Sequence, residues 1–233
     1  MLMGPQNLAV HLQLVREQLA AAATAAGRSV DSVTLLAVSK GHPASAVRAA
    51  HALGLRDFGE SYEQEARPKM AELRDIDLTW HFIGRVQANK TRPIAAEFAW
   101  VHAVDRLKTA ARLSQQRPYH APALNVCIQV NVAAEASKGG IGPDELPELA
   151  AAIARLPRLA LRGLMCMLPD GEPVERQREW FATLRGLLQS LNARGAKLDT
   201  LSMGMSGDYA AAVMEGATIV RVGTALFGAR PAD

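Results

Sequence analysis

The stretch VTLLAVSKGHPASAVRAA, residues 33–50, carries the first decision about the fold. Val33 to Val38 form an unbroken apolar run with β-branched members, bounded by small and turn-forming residues. That is the pattern of a strand covered on both faces, and helix-like sequence at 43–53 follows directly behind it. The strand runs straight into Lys40, which stands between Ser39 and Gly41.

Outward from this unit the alternation repeats. Strand-like runs fall at 33–39, 56–59, 79–83, 100–103, 124–131, 159–165, 200–203 and 218–222, with helix-like stretches at 43–53, 62–73, 106–116, 143–155, 173–194 and 209–215. A further helix at 7–26 comes first, with Leu8, Leu12, Val15 and Leu19 at helical spacing and Gly27 as its stop. Eight strands in alternation with helices predict an α/β protein: a single (β/α)8 TIM barrel domain over residues 1–233, with an extra N-terminal helix. An open doubly wound sheet is the alternative, but such a sheet usually carries a glycine-rich G-x-G-x-x-G turn after its first strand, and SKGHPA is not one.

Composition excludes several classes of function. The chain has 233 residues, 49% of them hydrophobic, enough for a large core, and its 26 Lys and Arg against 23 Asp and Glu are scattered along the sequence. That distribution argues against a nucleic-acid binder. Cys127 and Cys166 sit in apolar runs without a C-x-x-C pair or a histidine cluster, so they read as core residues in a reducing compartment and no metal site is expected. The sequence shows neither a secretory leader pattern nor an apolar run long enough to span a bilayer, which points to the cytoplasm and away from membranes.

In a barrel of this kind chemistry collects at the C-terminal ends of the strands. A lysine at the start of a loop is most often a solvated surface charge. At a barrel mouth between small residues, Lys40 can instead be an amine available to condense with a carbonyl, and its position alone leaves the two readings even. Ser206 and Gly207 follow strand seven and Gly223 and Thr224 follow strand eight, where barrels frequently bind phosphate through backbone N–H groups. Any one of these glycines would by itself mean only a tight turn. Arg221 interrupts TIVRVG and, by strand alternation, faces the barrel interior, where it needs either a carboxylate or a ring nitrogen of a bound cofactor. A lysine amine, a phosphate cradle and a polar partner for a ring nitrogen together are the parts of a pyridoxal 5'-phosphate site.

The segments LLAVSKGHP, FGESYEQE, WHFIGRVQANK, VCIQVNVAAEASKGG, LRGLMCM, LSMGMSGD and VRVGTALFGAR, in order from residue 35 to 230, resemble the pyridoxal phosphate homeostasis protein family, whose fold is like the N-terminal barrel of alanine racemase. The resemblance implies that Lys40 forms a Schiff base with pyridoxal 5'-phosphate, that Arg221 faces the pyridine nitrogen, and that Ser206, Gly223 and Thr224 hold the phosphate. Ser61 stands where the family commonly has asparagine, and Gly139 and Gly140 where it often reads S-K-S-G, departures that touch neither Lys40 nor Arg221 nor the phosphate turns.

His81 and Asn131 lie near strand ends and are expected either at the cofactor ring or in buried hydrogen bonds; Glu60, Gln87 and Asn89 are read as polar residues of the mouth, and Lys138 as a loop lysine in preference to a secondary amine. A racemase needs a second acid or base facing the amine. Of the three tyrosines, Tyr119 falls in a loop before strand five, at the far end of the barrel, while Tyr62 and Tyr209 begin helices. The expectation is therefore a monomeric carrier or buffer of pyridoxal 5'-phosphate, without catalysed turnover, that supports vitamin B6 and amino-acid homeostasis. Its partners would be the cofactor and pyridoxal-phosphate-dependent apo-enzymes. The alternative is a small pyridoxal-phosphate-dependent amino-acid racemase.

Overall fold

A computed structural model describes residues 5–135 and 137–229; residues 1–4, 136 and 230–233, including the last residue of the VRVGTALFGAR segment and both ends of the expected domain, lie outside the described residues. Helix α1 (Pro5–Ala25) precedes eight strands: β1 (Thr34–Val38), β2 (Asp57–Glu60), β3 (Thr79–Phe82), β4 (Trp100–Val104), β5 (Leu124–Gln129), β6 (Leu159–Met165), β7 (Thr200–Ser202) and β8 (Ile219–Val222). Between and after them run α2 (Ala44–Ala52), α3 (Glu63–Glu72), α4 (Thr91–Glu97), α5 (Leu107–Gln116), α6 (Leu146–Ala154), α7 (Val174–Ala193), α8 (Tyr209–Met214) and α9 (Thr224–Phe227). The strands pair in sequence order, all parallel, and β8 pairs back onto β1 with Leu36 opposite Arg221 and Ala37 opposite Val222. The barrel is closed.

Two differences from the sequence reading have physical causes. Helix α4 is seven residues long with Pro93 near its start, too short to show a helical period. Its C-terminal carbonyls are capped from outside by the buried Arg117, whose Nη1 donates to Ala95 O and Phe98 O at 2.7 Å each. The stretch at 143–155 is divided: Pro143–Glu145 makes a 3-10 turn and α6 begins at Leu146, with Pro147 in its first turn.

Alternation along the strands sorts side chains into two cores. Ala37, Phe58, Val101, Val126, Leu164, Val220 and Val222 face the helices and join one large apolar cluster, to which α1 adds Leu8, Leu12, Val15 and Leu19 as it lies against α8, α9 and α2. The barrel interior is different. Its small apolar group of Ala103, Cys127 and Met165 shares the space with buried His81, His102, Ser202 and Arg221. No helix among the described residues is long and apolar enough to cross a membrane, and no group of three or more His, Cys, Asp or Glu among them could hold a metal ion.

Candidate functional site

The inward register of β1 carries Val38 and then Lys40 to the barrel mouth, while that of β8 carries Arg221 and then Gly223 to the same place. There a cavity of about 810 Å³ is lined by Lys40, Ser206, Gly207, Arg221, Gly223 and Thr224. Strands one and eight are hydrogen-bonded neighbours, so the two ends of the sequence pattern meet because the barrel closes.

Arg221 is only 4% exposed. Its Nη1 donates to Ser202 O at 2.6 Å and to Ser202 Oγ at 2.8 Å, and its Nη2 donates to Cys166 O at 2.7 Å. A guanidinium has five N–H donors, so these three bonds leave two unused. All three acceptors are neutral, and among the described residues Arg221 makes no ion pair with a carboxylate. The thiols nearby give no compensating charge, because burial pushes both Cys127 and Cys166 up to about 12. Burial pulls the Arg221 guanidinium below its ordinary value, as expected of a desolvated cation. The Asp208 carboxylate acts on it electrostatically without a direct ion pair, so a buried cation on the wall of a cavity, hydrogen-bonded only to neutral groups, suits a ligand that brings an acceptor to it.

The turns after β7 and β8 line the same cavity. Ser206 Oγ accepts from Ala225 N at 3.4 Å and so ties the two turns together. A side chain at Gly207 would meet nothing within 4 Å, leaving open space over that backbone, whereas a Cβ at Gly223 would press on Val38 at 3.3 Å. The Asp208 carboxylate accepts from Met205 N, and burial raises it above its ordinary value although that bond and the charge of Arg221 oppose the rise. Lys40, Arg221, the small residues and these turns are compatible with the aldehyde, ring nitrogen and phosphate of pyridoxal 5'-phosphate.

Beneath the cavity a line of hydrogen bonds crosses the barrel. His102 Nδ1 lies 2.7 Å from Ser202 Oγ, His102 Nε2 lies 3.0 Å from His81 Nδ1, and His81 Nε2 lies 3.0 Å from Asp57 Oδ1 at the start of β2. The ends dictate its direction. A carboxylate can only accept, so His81 donates to Asp57, and with neutral imidazoles His102 then donates to His81 and Ser202 to His102 while Ser202 accepts from Arg221. Both imidazoles are then neutral with the proton on Nε2. Burial favours this by lowering both histidines; for His102 the neighbouring His81 and Arg221 add to the effect.

His81 and Asn131 are the two expected site residues that the structure does not bring to the cavity lining. His81 faces inward but lies one layer down, stacked on Trp100 at 5.5 Å, while Ile83, two residues on, reaches the mouth. Asn131 folds into its own loop, donating from Nδ2 to Glu135 O and Lys138 O and accepting Glu135 N on Oδ1. Glu60 is also not at the mouth: its side chain is fully buried behind the wall. Asn89 is likewise absent from the lining, whereas Gln87 does line the cavity, together with Lys138, read as a loop lysine, Tyr62, read only as the start of a helix, and Arg85 and Lys90, which the sequence reading had not singled out. Loops bring all five there, and loops carry no period from which to read an orientation.

The alanine racemase N-terminal domain family matches residues 10–231. The chain is 59% identical to the pyridoxal phosphate homeostasis protein of Pseudomonas aeruginosa over 96% of each, and 50% identical to that of Escherichia coli K12 over 96% of this chain and 97% of that one. Among solved structures, PipY of Synechococcus elongatus PCC7942 with PLP bound is 39% identical and superposes with a TM-score of 0.84, covering 95% of this chain and all of that one.

Proposed function

The chain belongs to the pyridoxal phosphate homeostasis protein family, and from that premise we propose that it binds pyridoxal 5'-phosphate at the barrel mouth and carries or buffers it. The observation that supports this most is the meeting of Lys40 and Arg221, a buried guanidinium without a direct ion pair among the described residues, with the β7 and β8 turns on one cavity. When bound, the cofactor supplies a reactive aldehyde that an amine can hold covalently and reversibly. Lys40 supplies the amine. Ser206, Gly223 and Thr224 would hold the phosphate with hydroxyl and backbone donors, and Arg221 would offer its remaining N–H groups to the ring nitrogen. His81 and Asn131 act at a distance, the first through the line to Arg221 and the second by shaping the loop of Lys138.

We infer a carrier, not a catalyst, from what faces Lys40. Arg221 can donate but has no proton to give up at the ring nitrogen, which weakens any bound pyridine as an electron sink. Tyr62 alone of the three tyrosines lines the cavity, and at 60% exposure it stands largely in solvent, a poor place from which to return a proton to one face of a substrate. Release to apo-enzymes in the cytoplasm follows from reversible capture and supports vitamin B6 and amino-acid homeostasis.

Borohydride reduction of the protein loaded with pyridoxal 5'-phosphate, followed by peptide mapping, tests the assignment. The pyridoxyl label is expected on Lys40 and is expected to disappear in Lys40→Ala with the fold intact. A label on Lys138, or anywhere other than Lys40, would overturn it.

A further inference from the structure

Immediately behind Lys40, between the barrel wall and α3, lies a buried ionic cluster that the binding site does not account for. Lys69 is 6% exposed, and its Nζ donates to Ser39 O at 2.9 Å, Glu60 Oε1 at 2.6 Å and Glu65 Oε1 at 3.2 Å. Those three bonds use every donor an ammonium has. Ser39 Oγ donates to the same Glu60 oxygen at 2.6 Å, and Glu65 Oε1 also accepts from Gly41 N at 2.6 Å. Glu60 Oε2, by contrast, is buried without a hydrogen-bond partner.

Such a cluster is a poor source of stability, because removing the Glu60 carboxylate and the Lys69 ammonium from water costs about as much as their attraction returns. What it does achieve is positional. It grips the chain on both sides of Lys40: the carbonyl and hydroxyl of Ser39 before it, and the amide of Gly41 after it. Gly41 has φ of +74°, a conformation that leaves the chain free to turn elsewhere unless something holds it. Glu65 and Lys69 stand one turn apart on α3, and the start of the same helix, Glu63 and Gln64, lines the cavity. One helix thus borders the ligand space and clamps the residue that serves it.

We propose that Glu60, Glu65 and Lys69 are positioning residues for Lys40, fixing the backbone on either side of it so that its amine is presented at the cavity in one orientation. The proposal rests on the reading of Lys40 as the cofactor amine, but the clamp can be measured without the cofactor. Glu65→Ala is the primary variant, since Glu65 is part-exposed and its loss leaves no buried charge unpaired. In the unloaded protein the Gly41 amide is expected to exchange with deuterated water at least about tenfold faster in Glu65→Ala, with Glu65→Gln, which keeps an oxygen in place, restoring protection.

In the loaded arm, pyridoxal 5'-phosphate should label Lys40 about tenfold more slowly in Glu65→Ala and show weaker induced circular dichroism, while pyridoxine 5'-phosphate, which lacks the aldehyde, binds as in the unaltered protein. The double variant Glu60→Gln, Lys69→Met, which removes the paired charges together, should behave alike. Unchanged exchange at Gly41, or labelling at the original rate, would overturn the clamp. Equal loss of affinity for both phosphate esters would also overturn it, by showing general damage. Absence of label from Lys40 in the unaltered protein would refute the cofactor reading instead, and the exchange measurement would still decide the clamp.

Discussion

Two buried histidines in a barrel wall are costly to protonate, and here that cost has a sign. His81 and His102 titrate below their ordinary value of 6.5 in the folded chain, with burial as the leading cause. Below pH 6.5 the unfolded chain therefore takes up protons that the folded chain refuses. Their contribution is complete above that pH and is lost as pH falls toward the depressed folded values, by up to about 1.4 kcal/mol per pH unit for each histidine. Glu60 and Asp208, raised by burial, act in the opposite sense, since the folded carboxyls take up protons before the unfolded ones as pH falls. Urea unfolding at pH 7.5, 6.5 and 5.5 measures the net effect: stability should fall across the lower interval, and the fall should flatten in a His81→Gln, His102→Gln double variant. An identical slope in that variant would remove the histidines from the account. At this scale the sequence was informative where a charged residue interrupted an apolar run, as with Lys40 and Arg221. It misplaced Glu60 at the mouth, because an acidic side chain at a strand end looks the same whether it faces the mouth or the back of the wall.

Elements were legible in proportion to their length and burial. All eight strands appear where short apolar runs place them, with bounds displaced by a residue or two, because strands buried on both faces leave a compact signature. Helix α4 left none, since seven residues around a proline depend on Arg117 from a later element for their C-terminal cap. Helix α1 was plain from its leucines, and its role follows from what it covers. Leu12, 2% exposed, packs within the core that α1 shares with α8 and α9, the helices flanking β8. Leu12→Ala should cost about 2–5 kcal/mol, through lost burial and the cavity left behind, without altering the chemistry of the mouth. Denaturant midpoints measure the first part; unchanged labelling of Lys40 measures the second.

For the whole molecule, a separation of layers governs behaviour: apolar packing outside the barrel, a polarised line inside it, reactive groups at one end. On the carrier reading proposed above, Lys40 is the one amine committed to the cofactor, while Lys90, Lys138 and the largely exposed Tyr62 share the cavity lining with it. A well-placed acid or base is worth roughly 100- to 10,000-fold in rate, so the loaded protein is expected to show only slow Cα exchange with L-amino acids in deuterated water. Multiple turnovers per minute, abolished by Lys40→Ala and by Tyr62→Phe, would replace the carrier reading with a racemase. The register that joins β1 to β8 has a further consequence, for how the protein comes into being. Residues 34–37 must wait for residues 219–222 before the ring can shut, a pairing of high contact order that makes folding slow and closure a late event. Lys40 and Arg221 extend from those same two strands. A chain still emerging from the ribosome therefore has the lysine long before it has the arginine, and on the proposed reading the site that would retain an aldehyde is assembled only when β8 closes the barrel.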